Sequence, residues 1–542
     1  MLTAPTGSGK STLLPQILVD SGVVAGRVVV LQPRRLAARL LALRVAGERG
    51  CRAGGEVGYQ IRFEDVSSRA TRILYVTEGI LMRRMSRDPG LEGIGAVVLD
   101  EFHERHLHTD VALGRVMDLQ ETLRPELKLV VMSATLDASR LAGFLSPCEV
   151  IEAEGRAHPV EVRYLSRPAG DAPWEVAARE LGGVARRGWS GGALVFMPGS
   201  WEIGRCLRAL EREGLGKQFE LLPLHGELPL ARQQAAVSPG GGARIVVSTN
   251  VAETSLTIAG IDLVVDSGLA RVPRYDPHRG IDTLLVEKIS RASAEQRAGR
   301  AGRTGPGCCL RLWTEAEQGQ RAAFEVPEVC RLDLAENVLA LAVAGVRDAR
   351  RFRWFEPPPE SSIVRAEMLL ADLGALDAGT GEVTELGRRM LAFPVHPRHA
   401  RMLIAGAEHG CLRTAALVAA MTAGRPIWVR KAGVEAEARR ADEHAVAGGH
   451  RIVRDPGPER GRSNPDGRLV GNPAFNPAVQ HVRLPQEARS ELRCRPVVDL
   501  LRRAELRDPA IRHDGDPVAH RHRLDLIVRY EDRGDAEPSL QG

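Results

Sequence analysis

The sequence predicts an α/β protein in which two tandem parallel sheets are wrapped by helices. Three observations predict it. A glycine-rich loop opens the chain ahead of an apolar helix, short apolar strands then alternate with helical patterns, and a second alternating series follows without a glycine-rich loop of its own.

At 542 residues the chain is too long for one core, so three or more domains are expected. A hydrophobic content of 44% with 26% charged residues is that of a soluble globular protein. The net charge of +5 and pI near 8.9 permit an anionic partner but do not demonstrate one. Arginine dominates the basic residues, which suits bidentate phosphate contacts and equally suits a compositional bias. The 8 cysteines include no C-x-x-C pair, and the adjacent Cys308 and Cys309 read as small core residues in a reducing compartment. No apolar run approaches the roughly 20 residues that span a bilayer, and no charged-then-apolar leader opens the chain, so a cytoplasmic location without membrane contact is expected.

The loop reads MLTAPTGSGKST, with Leu13, Leu14, Ile17 and Leu18 on the helix behind it. Glycines let backbone N–H groups close around phosphate oxygens, and the helix N-terminus adds its positive end. Gly7, Ser8, Gly9, Lys10, Ser11 and Thr12 are therefore the candidate nucleotide-binding residues, Lys10 for the β/γ-phosphates and Ser11 for Mg²⁺. The strict Walker A pattern is not met, because Ala4 stands where its first glycine belongs. Only Met1, Leu2 and Thr3 precede the loop, so its strand is expected to be clipped.

Strands are expected at 27–32, 72–76, 94–99 and 127–132, with helices at 34–49 and 79–87. The strand at 94–99 runs into VVLDEFHERHLHTD, which packs four acids and three histidines into residues 97–110. A zinc-binding His-Glu-x-x-His helix needs histidines four apart. His103 and His106 are three apart and Leu107 fills the required position, so the spacing rejects it. Asp100 and Glu101 instead sit at a strand end, where such sheets bind ligands, about ninety residues after Lys10. Asp100 can hold magnesium and Glu101 can deprotonate the attacking water.

A second series places strands at 193–197, 220–224, 244–248 and 262–265. It ends in SAEQRAGRAGRTG, where Arg297, Arg300 and Arg303 recur every three residues among small ones. Alone this reads as a solvated basic helix face. Beside a phosphate-loop domain it suits an arginine finger.

The loop, LQPRRLAA, VTEG, DEFHERH, MSAT, LVFMPG, STNVAETSLTI and QRAGRAGR agree in order and spacing with the superfamily 2 DEAH-box helicases. With VGYQIRFED and ISRASAEQRAGRAGR, DEFH in place of DEAH looks most like the bacterial HrpB-type members. The resemblance implies two RecA-like P-loop domains at 1–155 and 156–330, a winged-helix-like region at 331–395 and the start of a helical ratchet bundle at 396–421. It implies ATP-dependent movement along, or unwinding of, single-stranded or partly duplex nucleic acid by a monomer, RNA favoured, with ATP and Mg²⁺.

Residue by residue, the resemblance gives Ser11 and Asp100 to the metal, Glu101 and Gln296 to the attacking water, and Arg300 and Arg303 to the transferring phosphate. His103, Ser133 and Thr135 would couple hydrolysis to movement. Arg34, Arg35, Thr77, Gly79, Ser248, Thr249, Asn250 and Thr254 would face the nucleic-acid backbone. His106 and His108 are expected to pack or face solvent.

From about Thr422 to Gly542 the likeness stops and Arg, Pro, Asp and His crowd together. A disordered basic tail and out-of-frame translation both account for this, and the abruptness favours the second. The rival to an active motor is a truncated, non-catalytic relic that binds nucleotide or nucleic acid without productive unwinding.

Overall fold

A computed structural model describes residues 1–4, 8–134, 138–153, 158–238, 242–253, 258–278 and 280–422. Gly7, Thr135, Thr254 and the expected tail at 423–542 lie outside the described residues. The chain divides into two compact units after Ala400, and both sheets belong to the first.

The first sheet contains β1 (Leu2–Thr3), β2 (Arg27–Gln32), β3 (Val57–Ile61), β4 (Glu64–Val66), β5 (Ile73–Thr77), β6 (Ile94–Leu99), β7 (Lys128–Ser133) and β8 (Ile151–Glu152). Their order is β4-β3-β5-β2-β6-β7-β1-β8, parallel except for the β3–β4 edge pair. Helices cover both faces, so the central strands are continuously apolar rather than alternating. Successive side chains still go to opposite faces. Val28 and Val30 pack with α1 (Lys10–Asp20) and α2 (Arg35–Glu48), whereas Val29 and Leu31 pack with α3 (Glu78–Arg87), α4 (Leu107–Thr122) and α5 (Ala138–Phe144). The two-residue β1 is held on both sides, Leu2 pairing with Met132 and with Ile151.

The second sheet has the order β11-β12-β10-β13-β16-β9 and is parallel throughout. Its strands are β9 (Val160–Tyr164), β10 (Gly192–Phe196), β11 (Glu220–Leu224), β12 (Arg244–Ser248), β13 (Ile261–Asp266) and β16 (Gly307–Arg311). Around it lie α6 (Pro173–Arg186), α7 (Ser200–Arg212), α8 (Leu230–Val237) and α9 (Arg291–Ala298). Between β13 and α9 the chain makes an antiparallel hairpin, β14 (Leu269–Asp276) and β15 (Ile281–Lys288). The hairpin escapes sequence patterning because neighbours Leu284, Leu285 and Val286 are all exposed, which removes the in/out period. The arginine run is not one helix face: α9 stops at Ala298, so Arg297 lies on it and Arg300 and Arg303 stand on the turn beyond.

After α10 (Glu315–Gly319) and α11 (Ala335–Val343), a small wing forms between α12 (Glu360–Asp372) and α13 (Glu385–Leu391). Leu376 bridges Val383 across its turn. Asp377 Oδ1 accepts the N–H groups of Gly379 (3.0 Å) and Thr380 (2.8 Å), and Gly381 takes φ 70°, a left-handed conformation that suits glycine. Helices α14 (Pro397–Glu408) and α15 (Leu412–Thr422) complete the described chain. In the second unit a Cβ at Gly406 would stand 2.5 Å from that of Ala415, so the glycine permits close approach. Among the described residues no helix is long and apolar enough to cross a membrane.

Candidate nucleotide site

Parallel strands deliver the chemistry at their carboxyl ends, where Ala4, Gln32, Thr77, Asp100 and Ser133 terminate the strands of the first sheet. Gly9 carries φ 82° and its carbonyl accepts Leu13 N–H at 2.8 Å, starting α1 at Lys10. Pro15, inside α1, lacks the N–H that would bond the Ser11 carbonyl. Tyr75 of β5 takes its place, its hydroxyl donating to that carbonyl at 2.8 Å and tying the loop to the sheet.

The Lys10 ammonium is buried, donates to the Ala4 carbonyl at 3.2 Å and lies 3.9 Å from Glu101 Oε2. Asp100 accepts from Gln32 Nε2, from the Glu101 N–H at 2.8 Å and from Ser11. Burial first, and the Glu101 charge second, push the Asp100 carboxyl up to about 6, against Lys10, Ser11 and Gln32. The hard oxygens of Asp100 and Ser11 converge at the end of β6, an oxygen donor set that fits a divalent cation. The fit extends to polar atoms that are buried and without a hydrogen-bond partner, Ser8 Oγ and Gln32 Oε1.

Glu101 begins a 3₁₀ turn, Phe102–Glu104, and both flanking residues, Glu101 and Arg105, adopt φ 52°. A non-glycine residue there costs on the order of 1 kcal/mol, which surrounding contacts must offset. His103 Nδ1 accepts the Ala134 N–H at 3.3 Å, so its proton sits on Nε2, 3.5 Å from Glu101 Oε2. Burial holds that imidazole below its usual value, neutral at physiological pH. The histidine thus joins the DEFH turn to Ala134 of the MSAT segment.

Groups from the second sheet face this end. Arg300 donates to the Glu253 carbonyl, and burial, then the like charge of Arg303, lower its affinity for a proton. Burial pushes Arg303 down to about 10, with Glu101 as the opposing charge. Arg297 differs: it is fully buried and bonds Glu253 and Asp266, each at 2.8 Å. Gln296 is buried on α9 and lines a cavity of about 590 Å³ together with His103, Arg34, Glu104, Asn250 and Glu253.

Arg34 crosses between the sheets. Nη1 donates to the Asn250 carbonyl at 2.5 Å and Nη2 meets Glu104 at 3.0 Å, so a nucleic-acid role for Arg34 requires those partners to be exchanged. Thr77 and Ser248 are buried at strand ends, Gly79 lies in the first turn of α3, and Arg35 begins α2. Thr249 caps the turn Asn250–Ala252 by accepting Val251 N–H at 3.4 Å. Sequence reasoning missed Gln32, Tyr75, Glu253 and Asp266, although Gln32 and Glu253 fall inside segments it had singled out. His106 lies among Glu104 (2.8 Å), Glu328 (3.3 Å) and Glu78 (4.0 Å), while His108 bonds Asn337 at 3.1 Å.

The chain matches four family descriptions: DEAD/DEAH box helicase over residues 1–142, helicase conserved C-terminal domain over 181–305, and the winged-helix and ratchet-like helicase associated domains (HA2) over 366–395 and 396–454. The ratchet match runs beyond Thr422, where the likeness read in sequence ends. The ATP-dependent RNA helicase HrpB of Escherichia coli K12 is 42% identical over 427 residues, covering 78% of this chain and 52% of that protein. The pre-mRNA-splicing factor ATP-dependent RNA helicase prp22 of Schizosaccharomyces pombe is 40% identical over 452 residues, covering 81% of this chain and 38% of that protein. The chain therefore spans about half, or less, of the length of these relatives. The crystal structure of the Escherichia coli DEAH/RHA helicase HrpB superimposes with TM-score 0.74 at 39% identity, covering 83% of this chain and 58% of that one. With the loop, the DEFH turn and the arginine turn meeting in one place, the chain belongs to the DEAH-box helicase family.

Proposed function

We propose that the chain is an ATP-dependent helicase or translocase that couples hydrolysis to movement along single-stranded or partly duplex RNA. The observation that carries this is Lys10 beside Glu101 in one sheet, with Arg300 and Arg303 of the other sheet electrostatically coupled to the same glutamate. The RNA preference rests on the two relatives, both of them ATP-dependent RNA helicases.

Lys10 would contact the β/γ-phosphates, and Ser11 with Asp100 would hold Mg²⁺, which when bound neutralises phosphate oxygens. Gln296 orients the attacking water and Glu101 receives its proton as the oxygen attacks the terminal phosphorus. Arg300 and Arg303, already held in a low-dielectric setting, stabilise charge on the phosphoryl oxygens without reorganising. His103 senses Glu101 on one nitrogen and the Ala134 backbone on the other, and with Ser133 and Thr135 passes the nucleotide state onward. Arg35, Thr77, Gly79, Ser248, Thr249, Asn250 and Thr254 form the nucleic-acid-facing set, while Arg34, held by Asn250 and Glu104, bridges the two sheets. Backbone contacts of this kind suit a motor indifferent to sequence.

The test is phosphate release from ATP with and without a single-stranded RNA oligonucleotide. Stimulation supports the motor. Nucleotide binding without turnover supports the non-catalytic alternative.

A further inference from the structure

The turn that carries Glu101 is walled on its outer side by chain from beyond both sheets. Phe102 follows Glu101 directly and packs against Phe355, ring centroids 5.8 Å apart. Phe355 is buried in the core of the first sheet, edge-on to Phe144 at 5.2 Å. At the other end of the turn, Arg105 makes two bonds to Asp110, at 3.2 and 2.8 Å, and a third to Glu356 at 3.2 Å. Its guanidinium also lies 4.6 Å from the centre of the Phe355 ring.

The docking is built rather than incidental. A Cβ at Gly114 of α4 would stand 2.5 Å from Phe352 and 2.6 Å from the Arg353 carbonyl, so only glycine admits the segment there. Arg353 reaches Glu121 of the same helix at 2.5 Å. Glu101 and Arg105, the two left-handed residues, bracket the turn, and the outer anchors of that turn are Phe355 and Glu356.

We infer that Phe355 and Glu356 are positioning residues for ATP hydrolysis: by fixing Phe102 and Arg105 they hold the turn that aims Glu101. This rests on the proposed ATPase reading. The consequence is that the segment following the second sheet is felt by the hydrolytic glutamate through Phe102 and Arg105, so a force or partner that lifts it slows hydrolysis without touching the nucleotide. Lifting the segment leaves Lys10 and Ser11 where they are, because they are anchored by Ala4, Tyr75 and Asp100.

The experiment is steady-state ATP hydrolysis by the full chain with saturating single-stranded RNA, comparing wild type with Glu356→Gln, Glu356→Asp and Phe355→Leu. Thermal unfolding is recorded for each. The expected result for Glu356→Gln and Phe355→Leu is a kcat reduced about tenfold with KM for ATP within about twofold, in folded protein. Glu356→Asp, which keeps the charge, recovers most of the rate. Unchanged kcat in folded Glu356→Gln and Phe355→Leu overturns the proposal, as does a loss carried by KM. A wild-type chain without turnover overturns the ATPase reading itself and is thereby told apart.

Discussion

Arg34 donates to the Asn250 carbonyl at 2.5 Å, a contact that joins the chain after β2 to the chain after β12 across the cleft. The same guanidinium holds Glu104 of the DEFH turn at 3.0 Å. Movement of one sheet against the other must therefore stretch or exchange an Arg34 bond. A charged hydrogen bond of this kind contributes about 1.5–3 kcal/mol.

Arg34→Ala is expected to weaken the coupling between nucleotide and RNA by about tenfold. The check is RNA affinity with and without a non-hydrolysable ATP analogue, repeated over a salt series. Coupling should fall while the salt slope stays. A slope lowered by about one phosphate contact would return Arg34 to the nucleic-acid backbone.

The three arginines after α9 begins should separate in mutation. Arg297→Ala removes the cation hydrogen-bonded to buried Asp266 and to half-buried Glu253 and is expected to cost about 3–5 kcal/mol of stability, seen as a lowered denaturation midpoint. Arg300→Ala and Arg303→Ala should leave folding nearly intact and lower kcat by about a thousandfold or more. Equal destabilisation by all three would refute the distinction.

His106 supplies a pH dependence. Burial pulls its pKa down, yet the charges of Glu78 and Glu328 and its bonds to Glu104 and Glu328 raise it well above 6.5. Burial likewise opposes ionisation of Glu328, but His106 and the Leu107 N–H hold it at about 2. Glu78 moves the other way, raised by burial. The imidazolium contributes stability that is complete below about 6.5 and lost as pH rises through its raised value. The Glu328 contribution is present above about 4.5 and lost as pH falls toward about 2. His106→Gln should therefore cost about 1–3 kcal/mol at pH 6 and progressively less at alkaline pH, measured by urea denaturation. A cost independent of pH would show that the imidazole is neutral.

Much of this was legible in the residues, and what was not has a physical reason. The buried central strands β2 and β6 were legible because helices on both faces demand unbroken apolar runs. Asp100 and Glu101 were legible because a strand end behind a phosphate loop admits few uses. The hairpin β14–β15 was not, since neither of its faces is consistently buried. The split among Arg297, Arg300 and Arg303 was hidden as well, because their spacing of three suggests one helix whereas α9 ends between them. Phe355 and Glu356 were invisible for a different reason. They act on Arg105 across 251 residues of chain, a pairing that no local pattern encodes.

Replacing Glu101 by glutamine tests the central claim most directly, because it removes the proton acceptor and keeps the shape. With saturating single-stranded RNA, the wild-type chain should release phosphate from ATP at a stimulated rate. Glu101→Gln should lose that turnover and still bind ATP. Stimulated turnover surviving in Glu101→Gln would contradict the assignment of Glu101 as the hydrolytic base, and with it the mechanism proposed for this site.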